Sequence, residues 1–310
     1  MKRRIAVTGV AGFIGSNLAD RLLREGFSVA GIDNLAYGVR EQVAAGVDFI
    51  ERDIRASDLE TAFAGADVVF HLAAKNCIAD CQDDPVETAD VNVTGTVNVF
   101  EAARKAGVRK VVYAESSAVY EGSLQLPTPE HDVHAQSFYA LSKVAGMHFA
   151  EGFARWHGMK LTALRYFNVY GPHQDYRRTI PPVMSAFIIK LLQGERPVIY
   201  GDGTKRRDFV YVDDVNAFHL LCLDDPRTDG GVYNVGSGAS TSIREIFDLI
   251  ARAVGSQIEP EFRPNLEGEA RENRADIAAA RSLGWQPEIA LDEGLRRSID
   301  YIKREVLATP

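Results

Sequence analysis

The 310-residue chain contains few cysteines and has no long hydrophobic run. Its three cysteines, Cys77, Cys81 and Cys222, form no Cys-x-x-Cys pair, so we expect reduced thiols, a cytoplasmic location and no metal site. The longest apolar segments, such as residues 68–74, are far shorter than a membrane-spanning helix. We therefore expect no membrane partner.

The chain also lacks an excess of positive charge. Its 35 lysines and arginines are outnumbered by 43 aspartates and glutamates, which gives a formal net charge of −8. Nucleic acids and anionic membranes bind proteins through a basic face, so we expect neither as a partner. An anionic small molecule would have to be bound by individual arginines rather than by the overall charge.

Glycine, in contrast, is present in an informative pattern near the amino terminus. An apolar strand-like segment runs into Gly9, Gly12 and Gly15, and helical periodicity continues from residue 16. The first glycine permits a tight turn, the second lets the backbone approach a pyrophosphate, and the third lets the helix pack closely on the strand. The amino end of the helix then presents N–H groups to the phosphates. The pattern predicts a dinucleotide-binding turn.

An acidic residue, Asp33, ends the second strand-like segment at the distance that such a turn requires. A carboxylate at this point can accept hydrogen bonds from both ribose hydroxyls of an adenosine, and it would repel a 2′-phosphate. We therefore expect the cofactor NAD rather than NADP.

Strand-like and helical patterns alternate through the first half of the chain. The strand-like runs are residues 4–9, 28–33, 47–51, 67–72, 109–114 and 161–166, and the helical patterns lie near 15–25, 57–64, 88–106 and 138–157. This alternation predicts an α/β fold with a Rossmann-type, doubly wound parallel sheet.

The pattern changes after Gly171-Pro172, which predicts a second, smaller α/β domain. We expect the NAD-binding domain to span residues 1–171, with segments near 208–220 and 232–236 returning to it. The substrate-binding domain would then comprise residues 172–207 and 237–310. The ligands are expected at the carboxyl ends of the strands, in the cleft between the two domains.

Tyr139 and Lys143 are candidate catalytic residues. They are four residues apart within a helical pattern, so both side chains fall on one face of the helix. The nearby ammonium and a cationic nicotinamide ring would favour the phenolate, which could then act as a base toward an alcohol. Ser116 and Ser117 follow a strand-like run, and a serine hydroxyl there could bind the same substrate oxygen.

These motifs together resemble the extended short-chain dehydrogenase/reductase family, most of all its nucleotide-sugar epimerase/dehydratase branch, which includes UDP-hexose 4-epimerases. The resemblance covers nearly the whole chain. The segments that carry it are Thr8-Gly9-x-x-Gly12-x-x-Gly15, Asp33, Asp53-Ile54, His71-Leu72-Ala73-Ala74, Asn92-Val93-x-Gly95-Thr96, Ser116-Ser117, Tyr139-x-x-x-Lys143, Arg165-Tyr166-Phe167-Asn168 and Gly201-Asp202-Gly203-Thr204-x-x-Arg207-Asp208.

The resemblance implies a set of cofactor-binding residues. Asp53 and Ile54 would contact the adenine, Ala73 would pass near the phosphates or ribose, and Lys143 would bind the nicotinamide ribose. The full expected set is Gly9, Gly12, Phe13, Ile14, Gly15, Asp33, Asn34, Asp53, Ile54, Leu72, Ala73, Ala74, Asn92, Tyr139, Lys143 and Tyr166. His71, in contrast, is interpreted as a structural residue.

The resemblance also implies a nucleoside-diphosphate sugar as substrate. Its diphosphate would be bound by Asn168 and by the forked guanidinium of Arg207. The expected substrate-binding residues are Ser117, Asn168, Arg207 and Asn273. An arginine that the family often carries is missing near Leu266, and the candidate replacements are Arg263, Arg271 and Arg274.

The same position-by-position comparison bears on the sugar. Asn273 stands where some glucose/galactose-restricted epimerases have a tyrosine, and a smaller residue there is expected to admit an N-acetyl group. This favours UDP-GlcNAc/GalNAc or a mixed specificity over UDP-glucose/galactose alone.

In this family the tyrosine takes a proton from a sugar hydroxyl while a hydride passes to NAD⁺, and the later steps differ. A 4,6-dehydratase needs an acid and a base just after the strand-end hydroxyl, where this chain has Ser117 and Ala118. We therefore expect a 4-epimerase, with Ser116 rather than Ser117 facing the substrate. The alternative is a dehydratase that uses Glu115 or residues near 75–77. A non-catalytic dinucleotide-binding regulator is less favoured, because the Tyr/Lys pair is kept.

The helices predicted at 88–106 and 138–157 carry apolar residues on more than one face. The family commonly pairs these two helices across a dimer interface, so the resemblance implies a homodimer.

Overall fold

The computed structural model describes residues 2–174, 176–177, 181–265 and 270–307. The strands are β1 (Arg4–Thr8), β2 (Ser28–Asp33), β3 (Asp48–Glu51), β4 (Ala66–His71), β5 (Lys110–Ser116), β6 (Lys160–Tyr166), β7 (Asn168–Tyr170), β8 (Val198–Tyr200), β9 (Arg206–Arg207), β10 (Phe209–Tyr211), β11 (Val232–Val235), β12 (Thr241–Ser242) and β13 (Glu261–Arg263). The α-helices are α1 (Phe13–Arg24), α2 (Ile78–Asp83), α3 (Pro85–Ala89), α4 (Thr96–Lys105), α5 (Phe138–His157), α6 (Val183–Leu192), α7 (Val212–Asp224), α8 (Ile243–Val254), α9 (Ala278–Ser282) and α10 (Leu291–Tyr301).

The main sheet has seven strands in the order β11-β6-β5-β4-β1-β2-β3. Each pairing from β6 across to β3 is parallel. The inner strand β1 is fully buried at Ile5, Ala6 and Val7, as expected for a strand covered on both faces. The predicted Rossmann-type parallel sheet is confirmed.

The helices pack on this sheet through a continuous apolar core. α1 packs against β1 and β2, whereas α4 packs against β4, and α5 packs against β5 and β6. Val69, Phe100, Tyr113 and Leu161 belong to the same buried cluster, which joins strands and helices. Within the described part of the chain, every helix is too short or too polar to cross a membrane. All three cysteines are free thiols.

The chain divides into two compact units. The first unit runs to Ser123 and also includes Glu130–Tyr166 and Asn216–Asn234. The second unit comprises Leu124–Pro129, Phe167–Val215 and the chain from Val235 onward. The domain boundaries expected from the sequence stay a prediction.

The second unit is built from small strand pairs and helices. β7 and β10 are parallel, β8 and β13 are parallel, and β9 and β12 are antiparallel. α6 packs on α8, with the rings of Phe187 and Phe247 in an edge-to-face arrangement at 5.9 Å. A capping box between Ser242 and Glu245 fixes the start of α8.

The turn between β1 and α1 requires glycine at two positions. Gly9 has a positive φ of 73°, and a Cβ there would lie 2.7 Å from the amide nitrogen of Ala73. A Cβ on Gly15 would overlap the carbonyl oxygen of Gly9, on which α1 packs directly. The turn therefore brings β1, α1 and the segment after β4 together, backbone against backbone.

We predict that Gly15→Ala destabilises the protein by about 2 kcal/mol, because its methyl group has no space beside the carbonyl of Gly9. Thermal and urea unfolding measure the loss. Gly152→Ala is the matched control: Gly152 also lies within a helix, but a Cβ there would meet open space, so we expect a gain of up to about 1 kcal/mol. Equal unfolding temperatures for the Gly15→Ala variant and the wild type would contradict the tight-packing argument.

Candidate active site

The predicted phosphate-binding turn lies at the carboxyl end of β1, in the first unit. The amide of Gly12 donates to the carbonyl of Gly9 at 3.1 Å, and Gly12 itself begins α1 in an extended conformation. Among the described side chains, none caps this end of the helix. The amides of this first turn, at Phe13, Ile14 and Gly15, are therefore the donors that a phosphate at this end of the helix would use.

Asp33 is held beside this turn by the backbone. Its carboxylate accepts hydrogen bonds from the amides of Ala11 at 3.0 Å and Leu35 at 2.8 Å. Burial raises the pKa of Asp33, and these backbone bonds act in the opposite direction. The carboxylate thereby links the end of β2 to the glycine turn, which suits a ribose-binding group. Beside the carboxylate there is space only for a small residue such as Gly38.

A second acidic group, Asp53, lies near the end of β2 as well. Its carboxylate accepts from Asn34 at 2.7 Å and from both Nε and Nη2 of Arg55, at 2.9 and 2.8 Å. The hydrogen bond from Arg55 lowers the pKa of Asp53 to about 2, so Asp53 stays ionised. Ile54 is buried next to it. The structure brings the expected adenine-binding residues together, and it adds Arg55, which our sequence analysis missed.

The segment after β4 packs beside the same glycine turn. The amides of Leu72 and Ala73 donate to the carbonyl and the hydroxyl of Thr8, at 3.2 and 3.3 Å. These contacts place Leu72 and Ala73 beside the glycine turn. That Leu72, Ala73 and Ala74 bind the cofactor stays a prediction.

Asn92 hydrogen-bonds the backbone of this segment. Its side-chain oxygen accepts from the amide of Lys75, and its Nδ2 donates to the carbonyl of Lys75 and to Ser142 Oγ, at 2.8, 2.8 and 3.0 Å. Asn92 lies in a π-helical stretch, Asp90–Gly95, of a kind often found at functional sites. Its amide therefore holds the segment after β4 against α5, and a direct cofactor contact from it stays a prediction.

Tyr139 and Lys143 lie in the first turns of α5, and both are almost fully buried. The helix begins with a cap in which Ser137 Oγ accepts from the amide of Ala140 at 3.2 Å. Lys143 Nζ donates to the carbonyl of Ala114 at 3.0 Å and lies 5.9 Å from the centre of the Tyr139 ring. Burial lowers the pKa of Lys143 to about 8. The structure brings the two predicted catalytic residues together.

Ser116 is the last residue of β5, and Ser117 begins a short 3₁₀ turn, Ser117–Tyr120. The hydroxyl of Ser116 accepts a hydrogen bond from the amide of Ala118 at 3.2 Å, which leaves its own proton free to donate. Both serines are partly exposed. Which of the two faces a substrate stays a prediction.

The carboxylate of Glu115, one residue before Ser116, forms an ion pair. Glu115 forms a buried ion pair with Arg165 at 2.5 Å, and Arg165 also donates to the hydroxyl of Tyr120 at 2.9 Å. Burial raises the pKa of Glu115, and the guanidinium opposes that shift. Glu115 is thus committed to Arg165 inside the first unit.

Tyr166 points its phenol into the protein. The hydroxyl bonds His219 Nε2 at 2.6 Å, and His219 Nδ1 lies 3.3 Å from Asn216 Oδ1. Burial raises the pKa of Tyr166 and lowers that of His219 to about 3. A cofactor contact from Tyr166 would therefore use its backbone rather than its phenol.

In the second unit, the structure brings together the other predicted substrate-binding residues. Asn273 Oδ1 accepts from Asn168 Nδ2 at 3.1 Å and from the amide of Asp208 at 2.9 Å. The guanidinium of Arg207 donates to the carbonyl of Ala270 at 2.9 Å. Leu266, near which the family's arginine is missing, lies outside the described residues.

Asp208 organises this group, and our sequence analysis gave it no role. Its buried carboxylate accepts from the amide and hydroxyl of Ser237, both at 2.6 Å, and from the amides of Gly238 and Ala275 at 3.0 and 2.9 Å. Burial raises the pKa of Asp208, and these bonds oppose the shift. The only sequence signal was its place next to Arg207.

The chain is similar to known proteins both in sequence and in structure. The NAD dependent epimerase/dehydratase family matches residues 5–236. A UDP-glucose 4-epimerase from Mycolicibacterium smegmatis is 41% identical to this chain, over 97% of this chain and 99% of that protein. The crystal structure of a Thermotoga maritima UDP-glucose 4-epimerase with UDP-glucose matches with a TM-score of 0.93 and 36% identity, over 97% and 98% of the two chains. A UDP-N-acetylglucosamine 4-epimerase from Methanobrevibacter ruminantium M1 has a TM-score of 0.93 and 32% identity, over 98% and 99%.

The parallel sheet, the glycine turn and the Tyr139–Lys143 pair define a dinucleotide-dependent enzyme of the extended short-chain dehydrogenase/reductase class. Within that class, the chain belongs to the NAD dependent epimerase/dehydratase family, and its cofactor is NAD. The resemblance and the cofactor predicted from the sequence are both confirmed. The residues fit this cofactor, because α1 starts at Gly12 without a cap from any described side chain, as a helix that receives a pyrophosphate requires.

The buried histidines predict a measurable loss of stability in acid. His219 has its ordinary pKa near 6.5 in the unfolded chain and a pKa of about 3 in the folded one, so unfolding takes up a proton between these values. This stability is complete above pH 6.5 and is lost as the pH falls. Relative to His219→Asn, the wild type should lose about 1.4 kcal/mol per pH unit between pH 6 and 5 in urea unfolding. Parallel pH dependences for the two proteins would show that His219 is not held neutral.

Proposed function

We propose that the chain is an NAD-dependent UDP-sugar 4-epimerase of the UDP-glucose/galactose or UDP-GlcNAc/GalNAc type. The observation that carries this proposal is the buried pair on α5, in which the ammonium of Lys143 lies 5.9 Å from the centre of the Tyr139 ring. An ammonium at this distance stabilises a phenolate, the form in which Tyr139 can remove a proton from a sugar hydroxyl.

We propose that the cofactor is bound by the first unit alone. Its phosphates would lie on the turn and on the first amides of α1, its adenosine ribose on Asp33, and its nicotinamide ribose on Lys143 and Tyr139. The further residues proposed to line it are Asn34, Asp53, Ile54, Leu72, Ala73, Ala74, Asn92 and Tyr166. When bound, NAD supplies the acceptor and later the donor of the sugar's hydride.

The side chains of this chain would handle the proton. Tyr139 takes the proton of the C4 hydroxyl as the hydride leaves the same carbon, and it returns the proton after the hydride has come back to the opposite face. The hydroxyl of Ser116 would hydrogen-bond the same sugar oxygen, because its proton is not used by the bond from Ala118. The net result is inversion at C4, with no atom gained or lost.

A dehydratase is the alternative, and the contacts of Glu115 weigh against it. Dehydration needs an acid and a base near the sugar's C5 and C6, but the positions after Ser116 hold Ser117 and Ala118. The nearby carboxylate of Glu115 is buried and paired with Arg165 at 2.5 Å. A base already bound to a guanidinium within the core is poorly placed to take up a sugar proton.

For the diphosphate we propose Asn168, Arg207 and Arg271 as ligands. Arg271 is favoured over the other candidates because the guanidinium of Arg207 lies on the carbonyl of Ala270, next to Arg271 in the chain. Arg263 is instead paired with its neighbour Glu261 at 2.8 Å. A second guanidinium on the segment next to Arg207 would suit the two negative phosphates of a nucleotide sugar.

For the sugar we propose that Asn273 permits an N-acetyl group. Its short amide accepts from Asn168 Nδ2 at 3.1 Å, and it lacks the bulk of an aromatic ring. The Methanobrevibacter ruminantium neighbour is named for UDP-N-acetylglucosamine, which supports mixed specificity.

A cytoplasmic location stays a prediction.

The activity is tested by incubating the purified protein with UDP-glucose, UDP-galactose, UDP-GlcNAc and UDP-GalNAc and following the products by NMR. We expect C4 epimers, and we expect Tyr139→Phe to lower kcat by roughly 10³-fold while NAD stays bound, since only the proton acceptor is lost. Deoxy-keto sugars would identify a dehydratase, and net NADH would indicate a simple dehydrogenase. Bound NAD without turnover of any sugar would favour a regulator.

We also propose that the protein is a homodimer that pairs through α5. Four large apolar side chains on this helix remain exposed, with Trp156 at 79%, and they fall on one face by helical spacing. They are Phe138, Leu141, Phe149 and Trp156. An exposed apolar stripe of this length typically marks an interface between proteins.

The dimer is tested by placing a charge in the stripe. We expect Phe149→Glu to convert the dimer to a monomer in analytical ultracentrifugation, because a buried, unpaired carboxylate is costly at an apolar interface. Leu124→Glu is the matched control, since Leu124 is equally apolar and 98% exposed but lies outside α5. A monomeric wild type, or a Phe149→Glu variant that stays dimeric, would overturn the α5 interface.

A further inference from the structure

Glu121 lies directly after the 3₁₀ turn Ser117–Tyr120, which we call the serine turn. The amide of Glu121 donates to the carbonyl of Ala118 at 3.1 Å. The amide of Ala118 in turn donates to Ser116 Oγ at 3.2 Å. The backbone of Glu121 therefore belongs to the same hydrogen-bonded turn as the serine hydroxyl.

The side chain of Glu121 reaches the segment where α5 begins. Its Oε2 accepts from the amides of Gln136 and Ser137, at 3.2 and 2.8 Å, and its Oε1 accepts from Ser137 Oγ at 2.8 Å. Ser137 is the N-cap of α5 and is buried. Three donors thus converge on one carboxylate, and hydrogen bonds to a carboxylate are stronger than those between neutral groups.

Ser137 connects this carboxylate to the first turn of α5. Its hydroxyl oxygen accepts from the amide of Ala140 at 3.2 Å, so its single proton is available for the bond to Glu121. Ala140 follows Tyr139 directly, and both are buried. The carboxylate therefore holds the helical turn that carries the proposed base.

The backbone on either side of Glu121 is also bonded to the segment before α5. The amide of Gly122 donates to the carbonyl of His134 at 3.1 Å, and the amide of His134 donates to the carbonyl of Val119 at 2.8 Å. A Cβ on Gly122 would lie 2.7 Å from Gln136 Nε2, so glycine there permits a close approach. These contacts bring the two segments together, and the Glu121 carboxylate then joins the serine turn directly to the N-cap of α5.

A second side chain, that of Gln82, holds the start of α5 from a different element. Its Oε1 accepts from the amide of Phe138 at 2.8 Å, and Gln82 lies in α2. This bond ties the same end of the helix to α2 rather than to the serine turn. Gln82 is therefore a matched comparison for Glu121.

We propose that Glu121 is a positioning residue that holds the Ser116 hydroxyl and the Tyr139 phenol at a fixed separation. This inference rests on the proposed function, in which both hydroxyls bind the same sugar oxygen. Proton transfer requires the phenol to lie within hydrogen-bond reach of that oxygen, and a displacement of about 1 Å is enough to slow it.

Removing the carboxylate should lower turnover without weakening binding. We expect Glu121→Ala to lower kcat roughly tenfold and to leave the KM of the UDP-sugar and the affinity for NAD within about twofold of the wild type. Glu121→Gln keeps one oxygen for the amide of Ser137 but presents an NH₂ group to its hydroxyl, so we expect a loss in kcat of roughly threefold.

A double-mutant cycle separates positioning from a general loss of stability. Once Ser116→Ala has removed one of the two aligned hydroxyls, Glu121→Ala should lower kcat by only about threefold more. Gln82→Ala should lower kcat by the same factor with and without Ser116→Ala. Equal factors for Glu121→Ala in the two backgrounds would show that Glu121 only stabilises the helix. If Ser116→Ala leaves kcat unchanged, Ser117→Ala takes its place in the cycle.

Amide hydrogen exchange in the NAD-bound protein tests the link without turnover. We expect Glu121→Ala to speed exchange both in residues 117–122 and at the start of α5, whereas Gln82→Ala should speed it only at the start of α5. Unchanged exchange in Glu121→Ala, or faster exchange confined to α5, would overturn the inference. If the wild type epimerises none of the sugars, the proposed function fails, and the exchange result still decides whether Glu121 connects the two segments.

Discussion

The contact on which the rest of the first unit depends is the approach of three backbone segments around Gly9. The segment after β4 lies against its α-carbon, and α1 packs on its carbonyl oxygen through Gly15. Side chains are excluded from both contacts, so the strand, the helix amides and the segment of Ala73 reach one point. Asp33 fixes the fourth element, the end of β2, to the same point through the amide of Ala11.

Much of this arrangement could be predicted from the sequence, because its signals are local. The glycine spacing, the strand before it and Asp33 at the end of β2 lie within about thirty residues and predict the turn by themselves. Likewise, the spacing of Tyr139 and Lys143 alone places both on one helical face. The parallel sheet was predicted from apolar strand-like segments that alternate with helical patterns. Such a strand is covered on both faces, so it must be apolar along its length.

What the sequence did not predict are bonds between residues far apart in the chain. Asn92 bonds Ser142 fifty positions away, and Asp208 bonds Ala275 at a separation of 67, so neither partner is visible in any local pattern. The direction of the Tyr166 phenol depends on His219, 53 positions later. Asn92 and Tyr166 were selected by a motif, and only the folded chain shows that their side-chain polar atoms are already bound by other residues of the protein.

Asp33 shows what such occupied atoms mean for ligand binding. Its carboxylate is oriented by the amides of Ala11 and Leu35, so the acceptor is in place without any contribution from a ligand. A dinucleotide that meets a preorganised acceptor loses less of its binding energy to ordering the protein. The same rigidity would slow the release of the dinucleotide, as the proposed epimerase requires, since that enzyme would reduce and reoxidise one NAD within each catalytic cycle.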